Sequence, residues 1–162
     1  MYVLDCELIT PAEIGKVFAV FENPYNLAKI TPPWLGFRIL TEDIRMRKGA
    51  EMEYQFRWLG LPLNWKTEIT DYNPPESFVD EARRGPYTFW RHRHTFRATP
   101  QGTVVGDRVE YDLPFGRFGR VAHAVAVSHQ LKRIFEFRQR AIGQLLGGGA
   151  IQVRPPQIAL FL

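Results

Sequence analysis

Two histidines two positions apart are the residues of this sequence most suited to chemistry. His92 and His94 lie in GPYTFWRHRHTF (residues 85–96), where apolar and polar side chains alternate with period two, as in a β-strand. Trp90 and Phe96 fall on the same strand face as the histidines. A face with large aromatic side chains is usually buried, so we expect both imidazoles to point into the protein.

Each histidine is predicted to have a carboxylate neighbour. Asp80 on the preceding strand and Asp107 on the following strand share the inward parity. If the two hairpin turns are symmetric, Asp80 lies opposite His92 and Asp107 lies opposite His94. A change of register would alter the pairs but would still place inward residues opposite inward residues.

Four interpretations of this cluster remain open. The groups could simply satisfy one another's hydrogen bonds inside an apolar wall. They could form the polar end of a pocket and orient a hydroxyl, carbonyl or carboxylate of a ligand. They could be catalytic, since a histidine held by a carboxylate acts as a general base or acid near neutral pH. His-x-His with an aspartate is also an acceptable metal-ligand set. Nothing else in the chain supports a metal, so we predict neither a metal nor a cofactor.

The elements that must position the cluster follow from the changes in hydrophobic period. A strand is predicted over residues 2–9, a helix from Pro11 to about Phe21 and a short helix over residues 25–30. Six closely spaced strands follow as an antiparallel meander, at residues 37–41, 51–58, 64–72, 77–83, 88–98 and 103–113. The fold class is therefore α+β, with six or seven antiparallel strands.

A long C-terminal helix is predicted over residues 118–146, ended by three glycines. It is long enough to cover the apolar face of a curved sheet, and the wedge between them would be a cavity if side chains do not fill it. His123 and His129 on this helix are expected at the surface. We assign residues 1–146 to one domain and residues 147–162 to an apolar tail, broken by Gly and Pro, that packs on the body or on a neighbouring molecule.

Composition and charge narrow the function classes. The chain has 162 residues, 12 Phe and 4 Trp, which is typical of one globular domain with a large apolar interior. The net charge is +4. The arginines of the predicted strand 88–98 alternate with apolar residues and form one solvent-exposed face, so we predict no nucleic-acid partner. The only cysteine is Cys6, and no leader or run long enough for a membrane span is present. These features predict a cytoplasmic protein.

Four segments resemble a known superfamily. They are VFAVFENPYNLAKITPPWLGF (17–37), FVDEARRGPYTFWRHRHTF (78–96), DRVEYDLPFGRFG (107–119) and IFEFR (134–138). Together with the order of elements they resemble the START-related, birch-pollen-allergen-like superfamily, SRPBCC, and most of all its bacterial polyketide cyclase/dehydrase-like ligand-binding group. The resemblance implies the helix-grip fold, in which a curved antiparallel sheet wraps around a long C-terminal helix with a hydrophobic cavity between them. Members bind lipids, quinones, polyketides or other apolar molecules, and a minority are enzymes.

We therefore predict a binding protein for a small hydrophobic or aromatic molecule of lipid, polyketide or quinone type. The expected cavity wall consists of Tyr54, Phe56, Trp65, Trp90, Tyr111 and Phe135. The alternative is a cyclase/dehydrase-type lyase that uses His92 or His94, supported by Asp80 and Asp107. A second alternative is a protein-interaction module whose tail docks on a partner and whose cavity is filled by side chains. A homodimer is one assembly that the apolar tail would allow.

Overall fold

The computed structural model describes residues 1–58, 60–114, 116, 123–148 and 152–161. Its elements are, in order, β1 (Tyr2–Thr10), α1 (Ile14–Glu22), two 3₁₀ turns (Pro24–Ala28 and Pro33–Leu35), β2 (Arg38–Ile39), β3 (Glu51–Trp58), β4 (Leu61–Asn73), β5 (Ser77–Arg84), β6 (Phe89–Thr99), β7 (Gly102–Asp112), a π-helical turn (His123–Val127), α2 (Ser128–Leu145) and β8 (Gln152–Leu160). The predicted α+β class is confirmed.

The strands form one antiparallel sheet in the order β2-β3-β4-β5-β6-β7-β1-β8. The sheet has eight strands in the described part of the chain, where six or seven were predicted. Strands β3 to β7 form the predicted meander, because each turn between them is too short for anything but an antiparallel hairpin. At the last of these turns Gly102 has φ +126°, and an added Cβ would lie 2.1 Å from the carbonyl oxygen of Thr10. Only glycine fits there.

The eighth strand comes from the apolar tail. Residues Gln152–Leu160 pair antiparallel with β1, so most of the tail extends the sheet at its edge. The strand carries consecutive prolines, Pro155 and Pro156. Proline cannot donate a hydrogen bond to a neighbouring strand and is tolerated in a sheet only at an edge, which is why the sequence pattern gave no strand here.

The helices differ from the expectation at their starts. The first helix begins at Ile14 rather than Pro11, and Asn23 caps the following 3₁₀ turn by accepting a hydrogen bond from the amide of Tyr25. Positions 118–122 of the predicted long helix lie outside the described residues. Its described part is a π-helical turn followed by the 18-residue helix α2. No helix among the described residues has the length and apolarity that crossing a membrane would require.

Two apolar clusters fill the space between the sheet and the helices. One gathers around α1 and the C-terminal half of α2 and includes Phe18, Phe96 and Ile142. The other lies around the N-terminal half of α2 and includes Val109 and Phe135. The inward side chains between the two clusters are polar, and they form the candidate site.

Candidate functional site

A layer of polar side chains separates the two apolar clusters. On β6, His92 and His94 stand between Trp90, which packs on the second cluster, and Phe96, which belongs to the first. On β7, Asp107 stands between Val105 and Val109 in the same way. We call Asp80, His92, His94, Asp107 and Arg138 the polar layer. Strand alternation places the first four there.

The burial of β6 follows the predicted alternation. His92, His94 and Phe96 are buried, whereas Arg93 and Arg97 on the opposite face are exposed. The register is also as predicted: Asp80 lies opposite His92, and Asp107 lies opposite His94. The predicted position of each histidine opposite a carboxylate is thereby confirmed. The chemical role of the four residues stays a prediction.

The hydrogen bonds run diagonally across this register. Nε2 of His92 lies 2.8 Å from Oδ1 of Asp107, and Nε2 of His94 lies 3.1 Å from Oδ2 of Asp80. Nδ1 of His94 is 3.0 Å from the same Asp107 oxygen, and Nδ1 of His92 is 3.6 Å from Asp80. Neither Nδ1 contact has the geometry of a hydrogen bond. Because an ionised carboxylate only accepts, each imidazole carries a proton on Nε2.

Both carboxylates are held in the ionised form. Burial raises the pKa of Asp80, but the hydrogen bond from His94 and the positive charges around it together bring that pKa below its usual value. Burial also raises the pKa of Asp107, but the Arg138 charge and the close contacts with both histidines lower it further than burial raises it, to well below its usual value. Each aspartate is therefore negatively charged at neutral pH.

His92 is held in the neutral form. Burial lowers its pKa, and the neighbouring His94 adds to the decrease, while the hydrogen bond to Asp107 opposes it. The two rings are 3.8 Å apart between centroids, which makes charge on both rings at once unfavourable. A neutral His92 with its proton on Nε2 has a free electron pair on Nδ1.

Arg138 on α2 completes the polar layer and was not among the predicted site residues. Its Nε lies 3.8 Å from Oδ1 of Asp107, and its guanidinium stacks over the ring of Phe21 at 5.5 Å. The residue is only 8% exposed. The sequence could have indicated that Arg138 is buried. It follows Phe135 by three positions and precedes Ile142 by four, which places it on the apolar face of the helix.

The polar layer borders an internal cavity of about 340 Å³ between the sheet, α2 and the 3₁₀ turns. Five of the six predicted wall residues line it: Tyr54, Phe56, Trp65, Trp90 and Phe135. Four members of the polar layer line it as well: Asp80, His92, His94 and Arg138. Asp107 does not reach the cavity surface and lies behind the two histidines.

Tyr111 does not line the cavity, contrary to the prediction. It is fully buried, and the rings of Tyr87 and Trp90, which do line the cavity, pack against it at 5.7 and 6.0 Å between centroids. Its hydroxyl forms a hydrogen bond with Nε2 of His123 at 2.8 Å. Parity alone placed Tyr111 on the concave face, but the rings of Tyr87 and Trp90 cover it on the side of the cavity.

His123 is buried rather than on the surface as expected. It stacks on Tyr2 with centroids 3.6 Å apart, in addition to its hydrogen bond with Tyr111, and burial lowers its pKa. His129 is exposed, in line with the expectation. Cys6 is buried, and burial raises the pKa of its thiol, so it is a small apolar core residue.

Within the described residues, one group could hold a metal ion. The ligand atoms of Asp80, His92 and His94 all lie within 4.8 Å of one another. In this arrangement Nε2 of His94 already donates a hydrogen bond to Asp80, and binding a metal through that atom would remove the proton. The hydrogen bonds of the layer thus compete with metal coordination.

A family model described as "Polyketide cyclase / dehydrase and lipid transport" matches residues 10–159 of this sequence. The chain belongs to this family. The match covers most of the chain, including the edge strand β8, and confirms the SRPBCC resemblance carried by the four sequence segments. A search of curated proteins finds no significant match.

Solved structures of the same fold are similar to this chain over most of their length. A protein of Thermus thermophilus has a TM-score of 0.72 at 14% identity, with 89% of this chain and 96% of that chain covered. A protein of Chromobacterium violaceum has a TM-score of 0.71 at 15% identity, with 90% and 98% covered. The ginseng major latex-like protein 151 from Panax ginseng has a TM-score of 0.65 at 14% identity, with 86% and 93% covered. At these identities the likeness establishes the helix-grip fold alone.

Proposed function

We propose that this family member binds a small apolar or aromatic molecule in the cavity between the sheet and α2. The observation that carries the proposal is the composition of the cavity wall. Aromatic and aliphatic side chains surround about 340 Å³, and the polar groups converge at one end through Asp80, His92, His94 and Arg138. Apolar walls with a few convergent polar groups are typical of small-molecule sites.

The binding proposal is tested with the neutral dye N-phenyl-1-naphthylamine, whose fluorescence rises in an apolar site. We expect saturable binding and a rise in thermal stability, about 2.7 kcal/mol at a dye concentration 100 times the dissociation constant. Leu63 lines the cavity, so Leu63→Trp should weaken binding about tenfold or more by filling it.

A matched control lies two residues away on the same strand. Leu61 has the same parity as Leu63 but is 67% exposed, so Leu61→Trp adds the same bulk outside the cavity and should leave dye binding unchanged. Equal loss of binding in both variants, or saturable binding that neither variant changes, would place the dye elsewhere and refute the proposal.

A cyclase- or dehydrase-type reaction is the second candidate, and His92 is the observation that favours it. A neutral imidazole at the cavity wall, oriented through Nε2 by Asp107, can take a proton from carbon next to a ligand carbonyl at Nδ1. The test is hydrogen–deuterium exchange at the methyl group of 2-acetonaphthone in D₂O, followed by NMR. His92→Gln should abolish protein-catalysed exchange while ketone binding persists. Equal exchange in both proteins would exclude His92 as the base.

We also infer a cytoplasmic location, since Cys6 is the sole cysteine and it is buried and unpaired. A labelled full-length chain followed by cell fractionation tests this inference. Recovery in an exported or membrane fraction would contradict it.

A further inference from the structure

Three side chains at the polar end of the cavity hold atoms at distances suited to a metal ion. Oδ2 of Asp80 lies 3.6 Å from Nδ1 of His92 and 3.1 Å from Nε2 of His94. Ligand atoms about 2.0–2.1 Å from a tetrahedral zinc ion are separated from one another by about 3.3 Å. Both distances are therefore close to those of a zinc site. All three residues line the cavity, which gives a fourth ligand access.

Two contacts of the polar layer place hydrogen-bond acceptors side by side. His92 has its proton on Nε2, so its Nδ1 carries an electron pair, and this atom lies 3.6 Å from the Asp80 carboxylate without a hydrogen bond. Nδ1 of His94 is 3.0 Å from Oδ1 of Asp107 and has no hydrogen-bond partner in the part of the chain that the structure describes. His94 is only 3% exposed. Buried polar atoms nearly always have partners, so both contacts call for an explanation.

A metal ion would resolve both contacts. An ion bound to Nδ1 of His92 and Oδ2 of Asp80 places a positive charge between two acceptors. At Nε2 of His94 the ion displaces the proton that this atom donates to Asp80. In the neutral ring that proton moves to Nδ1, which has the Asp107 oxygen as an acceptor 3.0 Å away. One hydrogen bond is thus exchanged for coordination, and the buried Nδ1 gains a partner.

Asp107 has the position of a carboxylate that supports histidine ligands. A metal-bound histidine usually donates its other N–H to a carboxylate or carbonyl oxygen, which fixes the orientation of the ring. Oδ1 of Asp107 lies 2.8 Å from Nε2 of His92 and 3.0 Å from Nδ1 of His94. These are the two ring nitrogens that the metal does not use. One carboxylate therefore supports both histidines.

The charges of the polar layer favour a cation. Asp80 and Asp107 contribute two negative charges, and Arg138, whose Nε is 3.8 Å from Asp107, contributes one positive charge. A net negative charge in a buried layer is costly, so a proton on a histidine or a bound cation has to balance it. Two imidazole nitrogens with one carboxylate suit Zn²⁺, whereas Mg²⁺ and Ca²⁺ prefer oxygen ligands.

We propose that Asp80, His92 and His94 bind one Zn²⁺ ion, with Asp107 as the acceptor that orients both imidazoles. The fourth coordination position lies on the cavity side and is open to water or to an oxygen atom of a cavity ligand. Zinc on Nδ1 of His92 occupies the electron pair that proton abstraction needs, so these two uses of His92 exclude each other. Zinc binding does not require the apolar ligand of the proposed function.

Calorimetric titration of the chelator-treated protein with Zn²⁺ tests the proposal. We expect one equivalent to bind, and an equal concentration of Mg²⁺ should not compete, because Mg²⁺ prefers oxygen ligands. Co²⁺ accepts the same ligands as Zn²⁺. It should give the strong visible absorption of a four-coordinate site, and added Zn²⁺ should abolish this absorption.

Three variants and one control locate the ion. His92→Gln and His94→Gln each remove a ligand, and Asp107→Asn removes the carboxylate that orients both rings. Asp107→Asn should weaken zinc binding about 10–100-fold, and loss of a ligand should weaken it at least as much. His129→Gln makes the same substitution at an exposed position of α2 and should leave the affinity unchanged.

Anomalous diffraction at the zinc edge provides a measurement that needs no variant. Crystals of the unaltered protein with one equivalent of zinc should show an anomalous peak between Asp80, His92 and His94. A peak only elsewhere, the absence of zinc binding, or equal binding in folded His92→Gln and His94→Gln would overturn the metal site. Saturable dye binding by the same protein would then leave the cavity function standing. Zinc at the expected position in a protein that binds no dye would have the opposite meaning.

Discussion

His92 forms a hydrogen bond with Asp107 at 2.8 Å although His94 is the residue opposite Asp107 in the sheet. The second pair is crossed in the same way, because Asp80 lies opposite His92 and accepts its hydrogen bond from His94. The crossed bonds join β5, β6 and β7 through one network. Removal of either carboxylate therefore affects both imidazoles.

Asp107→Asn should destabilise the protein by about 1–3 kcal/mol. The amide keeps the shape of the carboxylate and can still accept one hydrogen bond. It is uncharged, however, so the buried positive charge of Arg138 loses the negative charge that balances it. Urea unfolding followed by circular dichroism measures the change. Unaltered stability would mean that the network is not energetically coupled.

The matched control for this change is Asp5→Asn. Asp5 lies on β1 with its side chain 38% exposed and forms an ion pair with Arg108 at 3.1 Å. Exposed pairs contribute about 1 kcal/mol or less, so this variant should change stability much less than Asp107→Asn. A larger effect at Asp5 would contradict the importance assigned to burial.

The free energy of unfolding should decrease in two stages as the pH is lowered. Burial lowers the pKa of His92, so below about pH 6.5 the unfolded chain takes up a proton that the folded chain does not. This contribution is complete above about pH 6.5 and is lost as the pH falls toward the folded pKa of His92. The lowered pKa values of Asp80 and Asp107 also make stability fall with falling pH. The stability that these two groups contribute is lost as the pH falls below about 3.9.

Urea unfolding measured from pH 8 to pH 3 checks this dependence. His123 also has a pKa lowered by burial and contributes in the same upper range as His92. His92→Gln and His123→Gln should each make the decline below about pH 6.5 shallower, and the double variant should make it shallower than either. A decline that neither variant alters would assign it to other groups.

Most of the site could be predicted because strand parity is a local property. Alternation alone places His92 and His94 inward, and the short turns fix their partners on β5 and β7. Arg138 was missed because a charged helix residue is normally exposed, and its buried position beside Asp107 joins α2 to a strand that is distant in sequence. His123 was missed for a related reason, since its burial comes from Tyr2 and Tyr111, which are distant in sequence.

Gln139→Leu should destabilise the protein by about 1–3 kcal/mol, because Gln139 ties the edge strand to the body. Its side-chain amide donates to the backbone carbonyls of Glu7 on β1 and Arg154 on β8, each at 3.0 Å. Hydrogen exchange of β8 amides should accelerate in this variant. Gln144→Leu, at an exposed position of α2, is the control and should stay within about 0.5 kcal/mol of the original protein.

Tyr111→Phe should cost about 1–3 kcal/mol of stability, although the change removes a single oxygen. The hydroxyl is the partner of the buried His123 imidazole at 2.8 Å, and phenylalanine leaves that nitrogen without it. Tyr2→Phe is the control, because it keeps the ring stacked on His123 and should have a smaller effect. Since Tyr111 lies behind the cavity wall, dye binding by folded Tyr111→Phe should be unchanged. Weakened dye binding would instead place Tyr111 in contact with the ligand.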